Sequence, residues 1–178
     1  MKRLCGSIVV GTLVALATAT PAQAQKPFVF FGGGATIPMS DFKDVAKTGW
    51  GAQVGIGIDI GTKGLWGDIE GGYSSNKHDI GDGETTLLSG LAVLGYSFSP
   101  AAKVSPYLLG GLGFVRAKTE VGTVSGSETN FAYTGGLGLG FRLSPVMLFW
   151  IDGRYMGGDV KFIPIMAGLS ISLGSNSN

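Results

Sequence analysis

The chain has 178 residues, 13 Lys and Arg against 12 Asp and Glu for a formal charge of +1, 44% hydrophobic and 14% charged residues, and 32 glycines. A near-neutral chain without a polybasic run excludes nucleic acid as the partner; the hydrophobic content excludes disorder, and the lack of a G-X-Y period excludes a collagen-like rod. One cysteine and one histidine exclude a disulfide framework and a Cys-based metal site.

Lys2 and Arg3 precede an apolar run from Leu4 to Ala19, and Ala22-Gln23-Ala24 offers a small-residue cleavage site before Gln25. This is the layout of a secretory signal peptide over residues 1–24. The apolar run is also shorter than the roughly 20 residues a spanning helix needs. Cleavage there removes Cys5, which lies ahead of the run, and with Lys2 and Arg3 gone leaves 11 of the 13 basic residues against 12 acidic ones. Residues 25–178 contain no Pro- or Ser-rich linker and read as one domain.

From Gln25 onward eight strands are expected, over Pro27–Ile37, Gly49–Gly61, Leu65–Ser75, Thr86–Phe98, Pro106–Ala117, Asn130–Leu143, Leu148–Gly157 and Phe162–Leu173. The second is the clearest. Trp50, Ala52, Val54, Ile56, Ile58 and Ile60 alternate with Gly51, Gln53, Gly55, Gly57 and Asp59, a strict period of two. Such a strand, apolar outward and polar or Gly inward, has the length and pattern of one tilted through a bilayer. The third, sixth and seventh strands have equally clear faces, with Ile69 and Tyr73, Phe131 to Leu143, and Phe149, Ile151 and Tyr155 pointing outward. In the fourth and fifth, Leu88 and Leu94 compete with Leu87 and Leu91, and Leu108 and Leu112 with Leu109 and Val115, so neither face is assigned; the first is also left open.

Polar stretches follow the first, third and fifth strands, at Pro38–Thr48, Asn76–Thr85 and Lys118–Thr129, and shorter turns follow the second, fourth and sixth. Long loops on one side and short turns on the other mark an outer-membrane barrel whose short turns face the periplasm. Tyr107, Tyr133, Tyr155, Trp50, Tyr73, Tyr96 and Phe98 lie near strand ends, as an interfacial aromatic girdle requires. Glycine recurring at alternate strand positions reads as curvature in a small, crowded barrel.

The same alternation sends Asp59, Asp68, Glu70 and Asp152 into the lumen together with Arg116, Arg142 and Arg154. An eight-stranded barrel is just wide enough for side chains to fill, and buried charges must pair, so an Arg-carboxylate network is expected to plug it. The alternative is that these residues line a narrow pore or a passage for small or hydrophobic solutes. A soluble lipocalin-like barrel would instead need apolar inward faces, opposite to those of the second and third strands. Catalysis has little to build on, because His78 lies in the polar stretch Asn76–Glu84 rather than on a rigid strand beside a serine. Asp79, Asp82 and Glu84 in that stretch lack the D-x-[DN]-x-[DN]-G spacing of a calcium loop. No metal or other cofactor is expected.

The last strand, Phe162-Ile163-Pro164-Ile165-Met166-Ala167-Gly168-Leu169-Ser170-Ile171-Ser172-Leu173, resembles the closing strand of small bacterial outer-membrane β-barrels. Ser105-Pro106-Tyr107-Leu108-Leu109-Gly110-Gly111-Leu112-Gly113-Phe114 resembles their fifth strand, and Gly136–Arg142 their sixth. The resemblance, to the opacity-protein and OmpA-like membrane-domain type, runs from Phe28 to Leu173. It implies an all-β, eight-stranded antiparallel up-and-down transmembrane barrel in the outer membrane. It also implies an assembly signal at Gly168, Ile171 and Leu173 for the barrel-assembly machinery. Together these readings give a non-enzymatic outer-membrane protein with a structural or surface-interaction role, in contact with outer-membrane lipid. External or host-surface ligands are expected at loops exposing Phe42, Lys43, Lys47, Lys77, His78 and Glu120.

Overall fold

The computed structural model describes residues 26–60, 64–78, 83–121 and 124–174, without the side chains of Val121 and Val124. The signal-peptide reading of residues 1–24 lies outside them, as do Asp79 and Asp82 of the polar loop. Eight strands are present: β1 (Pro27–Pro38), β2 (Gly49–Asp59), β3 (Leu65–Lys77), β4 (Gly83–Ser97), β5 (Val104–Val121), β6 (Val124–Arg142), β7 (Met147–Gly158) and β8 (Phe162–Ser172). Each pairs antiparallel with its sequence neighbours, and β8 returns to β1, from Phe28 opposite Ser172 to Pro38 opposite Phe162. Closure leaves no sheet edge around the wall.

The faces follow the period of two. Val54, Ile56 and Ile69 are more than half exposed on the outside, whereas Glu70, Asp152 and Trp150 are buried inside. Two of the three strands with no assigned face resolve cleanly: in β4 Leu87 is 2% exposed and Leu88 53%, and in β5 Leu109 is buried while Leu108 and Leu112 are exposed. Their ambiguity has a physical cause, since the lumen at the long-loop end is itself apolar. Leu87, Val115, Met156 and Phe162 belong to a buried cluster there that continues through Leu91 and Leu109 down to Tyr107.

The expected loop Lys118–Thr129 is instead strand. β5 and β6 continue as a ladder to Val121 opposite Val124, while β7 pairs with β6 only from Ala132. The outer part of this hairpin therefore projects past the rim on the β7 side. Outside the bilayer both of its faces meet water, so it carries Lys, Glu, Ser and Thr on either side and has the composition of a loop. The β3–β4 ladder likewise reaches Lys77 opposite Glu84, within the stretch expected to be loop.

The glycines have a more specific task than curvature. Phe28 lies directly opposite Gly57 and Phe30 opposite Gly55, Trp66 opposite Gly95, Tyr107 opposite Gly138 and Trp150 opposite Gly168. In every case the ring occupies the space a Cβ on that glycine would need. The five rings are inward, in the short-turn half of the lumen, and each has a glycine slot on the facing strand. On the outer face Tyr133 covers Gly157 in the same way.

Candidate functional site

The lumen has three levels. At the long-loop end is the apolar cluster, onto which Phe42 packs from the turn Ser40–Asp44 and Val160 from the β7–β8 connection. This end is also stitched by hydrogen bonds. Asn76, fully buried, donates to the carbonyls of Thr36 at 3.2 Å and Lys47 at 2.9 Å and accepts from the Thr36 hydroxyl at 3.1 Å.

The middle level is charged. Asp152 and Arg154, two residues apart on β7, share the inward face. The Arg154 guanidinium donates through Nε and Nη2 to the two carboxylate oxygens of Asp152, each at 3.0 Å, and through Nη1 to Glu70 Oε1 of β3 at 2.7 Å. The Tyr107 hydroxyl of β5 donates to Asp152 Oδ2 at 3.0 Å. All four side chains are buried. The planar fork of Arg suits one cation bridging two carboxylates. Gly136 of β6 faces Arg154, and a Cβ there would sit 2.9 Å from Arg154 Cγ, so glycine makes room for the cation as well as for rings.

The third level, at the short-turn end, is a cavity of about 700 Å³ whose walls include Phe28, Trp66, Tyr107, Trp150 and Asp68, with Pro100 and Val146 of the short turns at its mouth.

Of the seven charges expected in the lumen, Glu70, Asp152 and Arg154 come together. Asp68 borders them but has no hydrogen-bond partner among the described residues. Asp59 and Arg142 line the cavity near its mouth, where Arg142 Nη2 donates to the Pro100 carbonyl. Arg116 is not in the lumen. It shares the outward face of β5 with Leu112 and Phe114, is exposed, and donates to Ser127 Oγ at 3.1 Å. Its partner across the ladder is Thr129, in the projecting hairpin, where an outward charge is solvated.

Tyr107 corrects the sequence reading in the opposite sense. It belongs not to the girdle but to the lumen, in phase with Ser105 and Leu109, and its usable signal was Gly138 directly across the ladder. Outward aromatics instead pair across strands, Trp50 with Tyr73 at 5.4 Å, Tyr133 with Tyr155 at 6.2 Å, Phe114 with Phe131 at 6.3 Å and, at the short-turn end, Phe141 with Phe149, while Tyr96 meets Phe98 along the end of β4.

Of the expected loop residues, Lys43, Lys47, Lys77 and Glu120 are exposed. Glu120 pairs with Lys118 at 2.6 Å, both half-exposed, an ion pair that adds little stability in water. Phe42 is half-buried against the apolar cluster. His78 is also half-buried, with Nε2 2.9 Å from Thr85 Oγ1 and its backbone bridged to Ala46. Burial follows for both from the first loop folding back onto the ends of β3 and β4. Gly168 faces inward under Trp150, while Ile171 and Leu173 lie on the outward face of the closing strand. Among the described residues, no group of three or more His, Cys, Asp or Glu side chains is placed to hold a metal ion.

Around the whole wall the outward side is apolar, from Val54 and Ile69 to Leu112 and Leu137, each more than half exposed. A surface of that extent needs lipid as its solvent, and a closed ladder satisfies the backbone there without water. Fold and surface define an integral transmembrane β-barrel. Residues 10–174 match the family described as outer membrane protein beta-barrel domain, and the chain belongs to that family. Its place is the bacterial outer membrane.

Solved structures share the fold at low identity. Neisserial surface protein A is 18% identical over 83% of this chain and 97% of its own, with a TM-score of 0.65. A major outer membrane protein of Thermus thermophilus is 12% identical over 84% and 100%, with a TM-score of 0.58. The attachment invasion locus protein Ail of Yersinia pestis is 19% identical over 84% and 97%, with a TM-score of 0.55. No curated protein sequence matches the chain.

Proposed function

We propose that this protein is a non-enzymatic surface barrel of the outer membrane, with an adhesin- or antigen-like role carried by its long-loop end and a lumen plugged by side chains. The observation that carries the reading is the asymmetry of the two ends. Toward the long loops the lumen is filled by the Arg154 network and the apolar cluster, while β5 and β6 extend past the rim as a polar hairpin. A plugged interior with a raised, solvated rim suits contact better than transport. One fold relative, Ail, has been crystallised with the heparin analogue sucrose octasulfate, which makes polyanionic host glycans a reasonable first class of ligand to try.

The non-enzymatic reading rests on His78, whose ring meets the buried Thr85 hydroxyl of β4, itself shared with Thr119, and to which no serine is hydrogen-bonded among the described residues. Surface binding is tested with cells displaying the intact barrel against cells in which the loop 39–48 and the hairpin 118–129 are replaced by short turns. Binding to immobilised heparin or to epithelial cells should be lost while the folded barrel remains in the outer membrane; equal binding by both strains overturns the loop reading.

The second reading, a narrow passage, is favoured by the presence of cavities on either side of Arg154, the larger toward the short turns and a small one of about 30 Å³ toward the loops. Planar-bilayer recordings decide between them. A plugged lumen gives no discrete conductance steps, whereas steps altered by Arg142→Ala or Arg154→Ala establish the passage.

A further inference from the structure

The short-turn cavity is more than the unfilled end of a plug. Its wall carries a continuous run of rings. Trp150 meets Phe30 edge-on at 6.1 Å between centroids, Phe30 meets Phe28 at 6.2 Å, Phe28 meets Trp66 at 6.4 Å, and Trp66 meets Tyr107 at 6.0 Å. The rings come from β7, β1, β3 and β5, so they wrap around the lumen rather than clustering on one strand. Each is held in its glycine slot, which fixes the wall before any ligand arrives.

Beside this wall sits a carboxylate without a counter-ion of its own. Asp68 lines the cavity, and the charged groups facing it are Glu70, Asp152 and Arg154. Arg154 is already engaged by the other two, with both oxygens of Asp152 and one of Glu70 bonded to it. Arg142 is turned to the Pro100 carbonyl, and together with Lys26 it faces Asp59 at the mouth. Three carboxylates therefore share one guanidinium. A half-buried charge left in that position is costly unless a proton or a cation joins it.

Asp68 lies directly opposite Gly57, the same glycine that Phe28 covers from the other side. An aromatic face and an unpartnered carboxylate thus meet across a single glycine. This combination recognises an ammonium group, which rings attract through their faces and a carboxylate through its charge. A bare metal ion would gain little from the rings. A volume of about 700 Å³ lies in the range of small-molecule pockets.

We propose that the cavity at the short-turn end binds a small organic cation, a quaternary or primary ammonium group carried on an apolar body, with the cationic head between Asp68 and the Phe28 and Trp66 rings. The cavity opens among the short turns, so the ligand enters from the periplasm if those turns face it, and binding is independent of any contact made by the external loops.

The test uses the full mature barrel in uncharged detergent micelles on a Trp50→Phe background. Trp50 faces lipid, and the two remaining indoles, Trp66 and Trp150, both line the cavity. Fluorescence is titrated with benzyltrimethylammonium, with benzyl alcohol as the neutral probe and benzenesulfonate as the anionic one. The expected result is a saturable change with the cation alone, weakened about tenfold by Asp68→Asn and again by Phe28→Leu. Both variants are first checked for the heat-dependent gel shift of a folded barrel, and Phe28→Leu carries the test if Asp68→Asn does not fold. The proposal is overturned by binding of the alcohol or the sulfonate as tight as that of the ammonium, by a cation response that the folded variants leave unchanged, or by no saturable response at all.

Discussion

Two kinds of residue fix this lumen, and each makes a distinct prediction. Arg154 is the buried cation on which Glu70 and Asp152 depend. Removing it as Arg154→Ala strands two carboxylates and should cost about 3–5 kcal/mol of stability in urea unfolding from micelles. Replacing all three together, as Arg154→Met with Glu70→Leu and Asp152→Leu, should recover most of that loss, because the expensive state is the unpaired charge rather than the absence of the network. The glycines divide as sharply. Gly135 and Gly153 have open space where a Cβ would stand, so Gly135→Ala and Gly153→Ala should be neutral or stabilise by up to about 1 kcal/mol. Gly168→Ala puts a Cβ against the Phe31 carbonyl and the Trp150 ring and should lower the temperature at which the gel shift is lost.

At the scale of strands, the hairpin of β5 and β6 is the element whose structure and composition disagree. It is ladder to its tip; its β6 arm has no β7 partner beyond Ala132, and its β5 arm is held to the wall by the end of β4, from Thr86 opposite Lys118 to Gly83 opposite Val121. Deleting residues 118–129 in favour of a two-residue Asn-Gly turn removes four rungs of the β4–β5 ladder and should therefore keep the gel shift while lowering the urea midpoint modestly; loss of folding would show that the hairpin supports the barrel.

The same element shows what a sequence displays and what it hides. Alternation is legible where inside and outside differ in chemistry, as in β2, with Gly and Gln against Val and Ile, and in β7, with Asp152 and Arg154 against Ile151 and Tyr155. It fails in β4 and β5 because Leu87, Leu91 and Leu109 face an apolar interior while Leu88, Leu94 and Leu108 face lipid, so both faces are apolar for different reasons. It fails again past the membrane, where Arg116 faces water on the outer side. The Arg154 centre was legible as a set of inward charges, but its membership was not. That Asp68 stays outside the hydrogen-bonded group and Tyr107 joins it depends on which residues stand opposite one another across ladders, which a single strand's pattern does not contain.

For the molecule as a whole, an apolar exterior without a break and a lumen closed at one end make a cup set in the membrane. Export belongs to this scale too, because a barrel is inserted into the outer membrane from the periplasm. We propose cleavage after Ala24, and mass spectrometry of the protein from isolated outer membranes should find Gln25 at its N-terminus; a retained Met1 would refute the leader. Recognition of Gly168, Ile171 and Leu173 by the assembly machinery is proposed on the same footing.

The slots of the lumen also bear on how such a cup could be built in the right register. Phe28 and Phe30 with Gly57 and Gly55, Trp66 with Gly95, Tyr107 with Gly138 and Trp150 with Gly168 each lie within one pair of consecutive strands. A slip by one residue would turn the ring toward the other face and away from its slot. Four of the seven hairpins, the alternate ones from β1–β2 to β7–β8, therefore carry their own gauge, readable before the circle exists. Only the join between the first and last strands has no hairpin of its own, and there Gly32 stands opposite Gly168. The Trp150 ring lies against both, so a third strand supplies the clasp, and the circle can fasten fully only once β7, β8 and β1 are all in place.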